Sequence, residues 1–351
     1  MIKRKRTKII KIGNKKIGGN FPILVQSMTN TKTADAKATL SQIKKLEKAG
    51  CEIIRVGVPD LKSAEAVSKI KKKINVPLVA DIHFSIDVAL ESIKQGADKI
   101  RINPGNFPKE GLKTIINLAK KKKIPIRIGI NSGSLEKDIL GKQRRVTPEM
   151  MVKSALRNVK LMENLGFYNL VISLKAPDVL RTVKAYEMLA EKVDYPLHLG
   201  ITEAGGEFSG TIKSAVGMGV LLQKGIGDTI RVSLSADPAE EVRVGWEILK
   251  SLELRERGVK IVSCPTCART SIDVVGLTKK IENITNQIKK PLRIAIMGCV
   301  VNGLGEGREA DLAIVGAGKM ALLMREGKIV TKVKEKNKIF EIFCRELKRM
   351  V

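Results

Sequence analysis

Residues 78–131 read LVADIHFSIDVALESIKQGADKIRINPGNFPKEGLKTIINLAKKKKIPIRIGIN. Three short β-branched runs, at 78–82, 99–103 and 126–131, alternate here with longer amphipathic segments, the rhythm of strand, helix and strand in a parallel sheet. The rhythm continues in both directions with a spacing of roughly 25 to 30 residues. Further strands are expected at 25–28, 53–58, 170–175, 197–202 and 229–234, which makes eight. Helices are expected between most of them, for example over Ala36–Ala49 and over 148–165. Thr147 opens the second of these as a cap, with Pro148 at the first helical position. Eight β/α units in this length fit a TIM (β/α)8 barrel better than an open doubly wound sheet.

A basic arm from Lys3 to Lys16 and a short hairpin around Gly18-Gly19 are expected to precede the first strand. After the eighth strand, Asp237-Pro238 starts a helix that carries Trp246. The charged stretch Arg255-Glu256-Arg257-Gly258 then marks a domain boundary. Residues 1–255 are expected to form the barrel and 256–351 a small α/β domain. The order expected in that domain is strand, Cys-x-x-Cys, helix 271–288, strand 292–297, a cysteine loop, strand 312–315, a hairpin over 322–333 and a final helix.

That second segment carries Cys264-Pro265-Thr266-Cys267, then Gly298-Cys299, then Glu306 in a glycine-rich stretch. Thiolates at this spacing serve zinc or an iron–sulfur cluster, and the cysteines alone do not separate the two. Each cysteine segment follows an apolar run, so both loops are placed to converge. The stretch 300–307 (VVNGLGEG) is expected to be a turn whose backbone N–H groups face sulfide or thiolate. As a dinucleotide signature it is weak, because no helix with the usual acidic partner follows. Cys51 and Cys344 lack metal-like neighbours and read as packed thiols.

Totals limit the classes. Hydrophobic residues make up 43% of the 351, with no apolar run long enough to cross a membrane, and the N-terminus lacks the apolar core of a signal peptide. Five cysteines are an odd and sparse set, which suits a reducing compartment, and the protein is expected to be cytoplasmic. The formal net charge of +29 raises the question of nucleic acid, but aromatic residues are only 3% and the excess is Lys spread along the chain. A solvated Lys-rich surface accounts for it, and neither nucleic acid nor membrane is expected as a partner.

The catalytic face of a TIM barrel lies at the C-terminal ends of its strands. Taken in strand order, the polar residues there are Arg55; Asp81 and His83; Arg101 and Asn103; Arg127 and Asn131; Ser173 and Lys175; Thr202 and Glu203; Arg231 and Ser233. Arg101, Arg127 and Arg231 each sit between Ile or Val, and a buried Arg needs an anion. Arg matches phosphate oxygens in a fork, so a multiply anionic ligand is expected. A closed ring of internal ion pairs with Asp81 and Glu203 is the alternative, but two carboxylates cannot neutralise five cations. His198 reads as packed, His83 as binding or orienting the ligand, and Glu203 as placed for a general acid.

With these residues in view, the chain resembles the bacterial 4-hydroxy-3-methylbut-2-enyl diphosphate synthases of the non-mevalonate isoprenoid pathway. The likeness runs nearly end to end: VQSMTNT from Val25, ADIHF from Ala80, KIRINPGN from Lys99, RIGINSGS from Arg127, ISLKAPD from Ile172, LGITEAG from Leu199, IRVSLS from Ile230, CPTCART from Cys264 and GCVVNGLGEG from Gly298. It implies a TIM barrel joined directly to a C-terminal cluster domain. It implies a 4Fe-4S cluster on Cys264, Cys267, Cys299 and Glu306. Arg55, Asp81, His83, Arg101, Arg127, Asn131, Lys175, Arg231 and Ser233 would bind the cyclic diphosphate substrate, with Glu203 and Glu306 catalytic. Reduced flavodoxin or ferredoxin would supply two electrons to open the ring and remove a hydroxyl as water. A head-to-tail homodimer is implied, one subunit's cluster domain capping the other's barrel. Two other readings are a zinc-stabilised phosphosugar aldolase or isomerase, with Cys344 completing the metal site, and a basic nucleic-acid-binding protein with a metal knuckle. Neither accounts for strand-end arginines together with three cysteines and a glutamate.

Overall fold

The computed structural model describes residues 2–351, which form two compact units, the first ending at Arg255 and the second spanning Glu256–Val351. In the first unit a hairpin of β1 (Ile10–Ile12) and β2 (Lys15–Ile17) precedes eight parallel strands. These are β3 (Leu24–Met28), β4 (Ile53–Gly57), β5 (Leu78–Asp81), β6 (Lys99–Ile102), β7 (Ile126–Asn131), β8 (Leu170–Lys175), β9 (His198–Leu199) and β10 (Thr229–Ile230). They pair in the order β8-β7-β6-β5-β4-β3-β10-β9, and a parallel bridge between Ile172 and Leu197 joins the two ends, giving a nearly closed barrel.

Period-two alternation decides which side chains enter the barrel. The isoleucines flanking Arg101 and Arg127 join the core between strands and helices, so the arginines face inward. The helices start reliably because Asp35, Asp60, Ser85, Thr147, Asp178 and Asp237 each accept an N–H from the first turn that follows. Pro148–Asn164 and Pro238–Ser251 have the expected caps, and Trp246 is buried on the second. Two strands are shorter than expected: β9 stops at Leu199 and β10 at Ile230, although the Arg231 N–H still bonds the Leu199 carbonyl at 3.0 Å.

The hairpin corrects the reading of the basic arm. Its turn is at Gly13-Asn14, not Gly18-Gly19, and its apolar face (Ile10, Ile12, Ile17) packs on Leu24, Ile53, Val79 and Val171. The hairpin therefore plugs the end of the barrel at which the strands begin. Arg4 pairs with Asp228 at 3.0 Å, so this part of the arm is tied down.

The second unit is a five-stranded sheet of β11 (Val259–Ser263), β12 (Leu292–Met297), β13 (Leu312–Ala317), β14 (Met320–Arg325) and β15 (Lys328–Val333). The first three are parallel and the last two add antiparallel. Helices Val274–Thr285 and Ile339–Met350 cover one face through Leu277, Ile281, Phe343 and Leu347. The other face, with Ala295, Met297, Ala313, Val315 and Met324, carries the helix Val300–Glu309.

That last helix replaces the expected glycine-rich turn. Gly303, Gly305 and Gly307 do not take positive φ. Gly303 and Gly307, one helical turn apart, instead let the helix lie close on the sheet: a Cβ at Gly303 would come within 2.3 Å of Val315 Cγ1, and one at Gly307 within 2.6 Å of Met324 Sδ. Gly303→Val should push the helix off β13 and cost this unit about 1–3 kcal/mol, read as a lower urea midpoint. An unchanged midpoint would show that the close approach is not needed.

Candidate functional site

Inside the barrel six basic side chains gather: Lys99 at the start of β6, and Arg55, Arg101, Arg127, Lys175 and Arg231. Asp81 lies among three of them, Arg55, Arg101 and Arg127. It pairs with Arg101 at 3.2 Å and with Arg55 at 3.6 Å. Arg101 also approaches His83 Nε2 at 3.3 Å and donates to the Gly129 carbonyl at 3.1 Å. A Cβ at position 129 would fall 2.2 Å from Arg101 Nε, so glycine there makes room for the guanidinium. Arg55 Nε also points at Met28 Sδ, 3.0 Å away.

Lys175 lies 3.4 Å from His198 Nε2, and His198 Nδ1 is 2.8 Å from Thr229 Oγ1. His198 is packed, as its sequence context suggested. Its polar contacts nevertheless tie it to Lys175. Asn103 is turned to its own loop, accepting from the Gly105 N–H, while Asn131 ends β7 beside Lys175. Ser173 and Lys175 are buried, and Ser233 is half-buried beyond β10.

Two residues of this site were not read from the sequence. Glu241, on the helix Pro238–Ser251, is buried and accepts from Ser27 Oγ (3.0 Å), the Leu234 N–H (3.1 Å) and Arg231 (3.3 Å). Its helical spacing to Gly245 and Leu249 on the apolar face was the signal. Lys99 shares the inward side of β6 with Arg101, and period two was the signal there. Glu203 belongs to a different environment from the one expected for an internal ion pair. It is exposed in the loop after β9, adopts φ +52°, and its carboxylate has no partner among the described residues.

The electrostatics follow from burial and crowding. Burial by itself would raise Asp81, but Arg55, Arg101, Arg127 and His83 outweigh it and bring the carboxyl down to about 2. Burial, helped by the neighbouring Arg231 and Arg101, lowers Arg55 to about 9 against the pull of Asp81. Burial, then neighbouring cations, also push Lys99, Arg127, Lys175 and His198 well down. The Asp81 shift predicts acid sensitivity. Its folded value lies below the ordinary 3.8, so its stabilisation is present above that pH and is lost as pH falls towards 2. From thermal melts, the stability advantage of wild type over Asp81→Asn should shrink by about 2 kcal/mol between these limits. Parallel curves would remove Asp81 from the acid limb.

In the second unit, the cysteines sit just beyond the strand ends. The Cys264 N–H bonds the Ile296 carbonyl at 3.2 Å, and Gly298 N–H donates to Cys264 Sγ at 3.1 Å. Ser271 N–H bonds the Gly298 carbonyl at 2.9 Å, so the two cysteine loops are stitched together. Cys299 stands at the N-cap position of the helix Val300–Glu309, its thiol making no capping bond. The Cys267 thiol is lowered by the Arg269 N–H, then by the Thr270 hydroxyl and the Arg269 charge. Cys51, in contrast, is buried and pushed up to about 12 by desolvation, as suits a packed thiol.

Glu306 is not with the cysteines. It pairs with Arg293 at 3.2 Å, and Arg293 is also held by Glu309 at 2.9 Å. Arg293 is the second residue of β12, whereas Cys299 follows its far end. Along the helix, Glu306 lies about 10 Å beyond Cys299 at 1.5 Å per residue. Among the described residues no group of three or more His, Cys, Asp or Glu closes on one point. In this structure the glycines allow a continuous helix, and the Glu306 carboxylate pairs with Arg293 at the end of the sheet opposite to the cysteine loops.

No helix among the described residues is long and apolar enough to cross a membrane. Solved structures similar to this chain include dihydropteroate synthase from Stenotrophomonas maltophilia, with TM-score 0.53 and 16% identity over 70% of this chain and 98% of that one. The Yersinia pestis enzyme, in complex with a sulfonamide drug, gives 0.52 and 13% over 71% and 100%. At such identities the likeness concerns the barrel fold alone.

Sequence relatives are much nearer. A protein of Caldanaerobacter subterraneus subsp. tengcongensis named 4-hydroxy-3-methylbut-2-en-1-yl diphosphate synthase (flavodoxin) is 58% identical, covering 100% of this chain and 99% of its own. Proteins of the same name from Shouchella clausii and Fusobacterium nucleatum are 51% and 50% identical over 97% and 99% of this chain, and over 93% and 97% of their own. The family model for the GcpE TIM-barrel domain matches residues 7–246, and that for the GcpE protein C-terminal domain matches 260–349. With both of its units matched in order, the chain belongs to the GcpE family.

Proposed function

We propose that this chain converts 2-C-methyl-D-erythritol 2,4-cyclodiphosphate to 4-hydroxy-3-methylbut-2-enyl diphosphate in isoprenoid biosynthesis, a two-electron reduction that opens the ring and releases a hydroxyl as water. The observation that carries the reading is the excess of inward cations: among the described residues, Arg55, Lys99, Arg101, Arg127, Lys175 and Arg231 have only Asp81 and Glu241 as buried carboxylate partners. A diphosphate offers the missing negative charge in the bidentate form that Arg recognises. The names carried by the relatives point to the same substrate class and to reduced flavodoxin as donor. Ferredoxin would serve the same role.

In this reading Arg55, Arg101, Arg127, Lys175 and Arg231 hold the phosphate oxygens. Asp81 and His83 fix the Arg101 fork, and Asn131 and Ser233 add hydrogen bonds at the rim. Glu203 is exposed in the loop after β9, where a carboxyl can deliver a proton to a departing oxygen.

Cys264, Cys267 and Cys299 would hold a 4Fe-4S cluster. They fit a thiolate-bound group, because Gly298 already donates to Cys264 Sγ and Cys267 is held towards its thiolate. Such a cluster, when bound, supplies low-potential electrons one at a time. Glu306 would complete the set on leaving Arg293. That ion pair is about a third exposed on both sides, so giving it up costs about 1 kcal/mol or less. A helical Glu also leans towards the helix N-terminus, here towards Cys299.

The enzyme would work in the cytoplasm as a head-to-tail homodimer, the 256–351 unit of one subunit serving the 1–255 unit of its partner. Full activity in a monomer of measured mass would overturn that arrangement. The reaction itself is tested by visible and EPR spectra of anaerobically purified protein, before and after dithionite and with the cyclic diphosphate added. Absorption that bleaches, with an EPR signal altered by substrate, is expected. A colourless protein holding stoichiometric zinc despite available iron would instead favour the phosphosugar aldolase or isomerase reading.

A further inference from the structure

We propose that the 256–351 unit receives its electron donor, an acidic carrier of the flavodoxin type, at a lysine-lined cleft on the flank of the cysteine loops. This docking face rests on the reading of the chain as a flavodoxin-dependent synthase, which leaves the seat of the donor open. The cleft has a volume of about 600 Å³ and lies between residues 270–280 and residues 336–340. Its apolar lining is Ile272, Leu277, Ile339 and Phe340, and its cations are Lys280 and Lys336.

One wall of the cleft is tied to both cysteine loops. Thr270 Oγ1 accepts the Cys267 N–H at 3.0 Å, and the Thr270 N–H bonds the Cys267 carbonyl at 2.9 Å. The Ser271 N–H bonds the carbonyl of Gly298, the neighbour of Cys299. Lys280 and Phe340 belong to the two helices that cover one face of the sheet, so a carrier seated there meets the loops from the side.

Sheet topology gathers charge of one sign at this edge. β11, β12, β13 and β15 all run towards it. Arg269, Lys319, Lys334, Lys336 and Lys338 therefore fall in the loops there. Carboxylates collect at the other edge: Glu306 and Glu309 on Arg293, Asp311 on the Arg293 N–H, and Glu326 after β14. Those near the cysteine edge are engaged. Glu335 pairs with Lys338 at 2.8 Å, Glu341 pairs with Arg345 at 3.2 Å, and Asp273 accepts the Gly276 N–H at 2.9 Å. Lys280 lies 5.7 Å from the Phe340 ring centroid, and neither it nor Lys336 enters an ion pair among the described residues.

Two unpaired ammonium groups flanking an apolar recess suit a surface that carries carboxylates. Opposite charge steers such an encounter and fixes its register, which serves a carrier that must arrive and leave repeatedly. Lysines are spread over the whole chain, but here they meet a concave contact beside the thiolates.

The test uses the anaerobically purified full chain and a purified bacterial flavodoxin. Binding is measured by calorimetry, and turnover is driven separately by reduced flavodoxin and by dithionite. Wild type should bind, and more weakly as salt rises. Lys280→Glu combined with Lys336→Glu should raise both the Kd and the KM for flavodoxin by about tenfold to hundredfold, while dithionite-driven turnover holds. Both lysines are exposed, so this variant should melt as wild type does. Lys328→Glu, at the other edge of the same sheet, should bind as wild type does. Unchanged binding in the double variant, an equal loss in Lys328→Glu, or an equal fall in dithionite-driven turnover would overturn the proposal. Wild type that binds flavodoxin but turns over with neither reductant would sink the synthase reading, and the binding comparison would still decide the docking face.

Discussion

Cys299→Ala will yield a folded protein that fails to retain a full complement of iron and loses nearly all synthase activity. Removing one outer hydrogen-bond partner of a metal ligand already costs about tenfold to hundredfold in metal affinity or activity, so removing a thiolate itself should cost more. The barrel should be unaffected, since Cys299 lies in the separate 256–351 unit, at the start of the helix Val300–Glu309. Iron and sulfide content, the visible spectrum and the melting curve should be measured together. A variant with normal iron and an unaltered spectrum would show that Cys299 is not a ligand, while a collapsed melting curve would show a structural role. Cys344→Ala is the control. That thiol packs among the apolar residues of the final helix and is raised by burial, so iron content should stay at the wild-type level.

The second large effect is expected at Arg101. Its guanidinium meets Asp81 at 3.2 Å, the Gly129 carbonyl at 3.1 Å and His83 at 3.3 Å. Arg101→Met removes a cation from the proposed phosphate site and leaves Asp81 with Arg55 as its one remaining close guanidinium, at 3.6 Å. Truncating one member of a buried charge pair costs about 2–5 kcal/mol, so kcat/KM should fall by roughly thirtyfold to several thousandfold. Because Arg55, Arg127, Lys175 and Arg231 remain, some binding of the diphosphate should survive at high concentration. The loss should appear mainly in KM, with the iron content unchanged. A fall confined to kcat at unchanged KM would mean that Arg101 acts in the transition state alone.

Some of this was legible without coordinates. Alternation in KIRIN and IRIGIN placed Arg101 and Arg127 on the side of the strand opposite to their isoleucines, and the structure turns that side inward. Capping residues such as Thr147 and Asp237 located helix starts, because a side chain bonding the first turn is a local event. Less legible were the glycines of the stretch 300–307. The same residues can permit a positive-φ turn or a close helix-to-sheet contact, and the choice depends on Val315 and Met324, which only the folded sheet brings there. The hairpin turn was misplaced for a similar reason: both glycine sites are locally permissive, and the packing of Ile10, Ile12 and Ile17 under the barrel selects Gly13-Asn14.

The sequence by itself determined the order of the eight barrel strands, the two faces of the strands that carry Arg101 and Arg127 and the membership of the family, since all three depend on local periodicity or on motif order. Tertiary structure alone decided the partners of the charges. Glu241 became the buried acid for Arg231, Glu203 remained exposed, Lys99 was enclosed without a carboxylate, and Glu306 was drawn to Arg293 rather than to the cysteines. Charge pairing is settled by which side chains distant in sequence arrive within a few ångströms, and in a low-dielectric interior that arrival, not residue type, sets the energy.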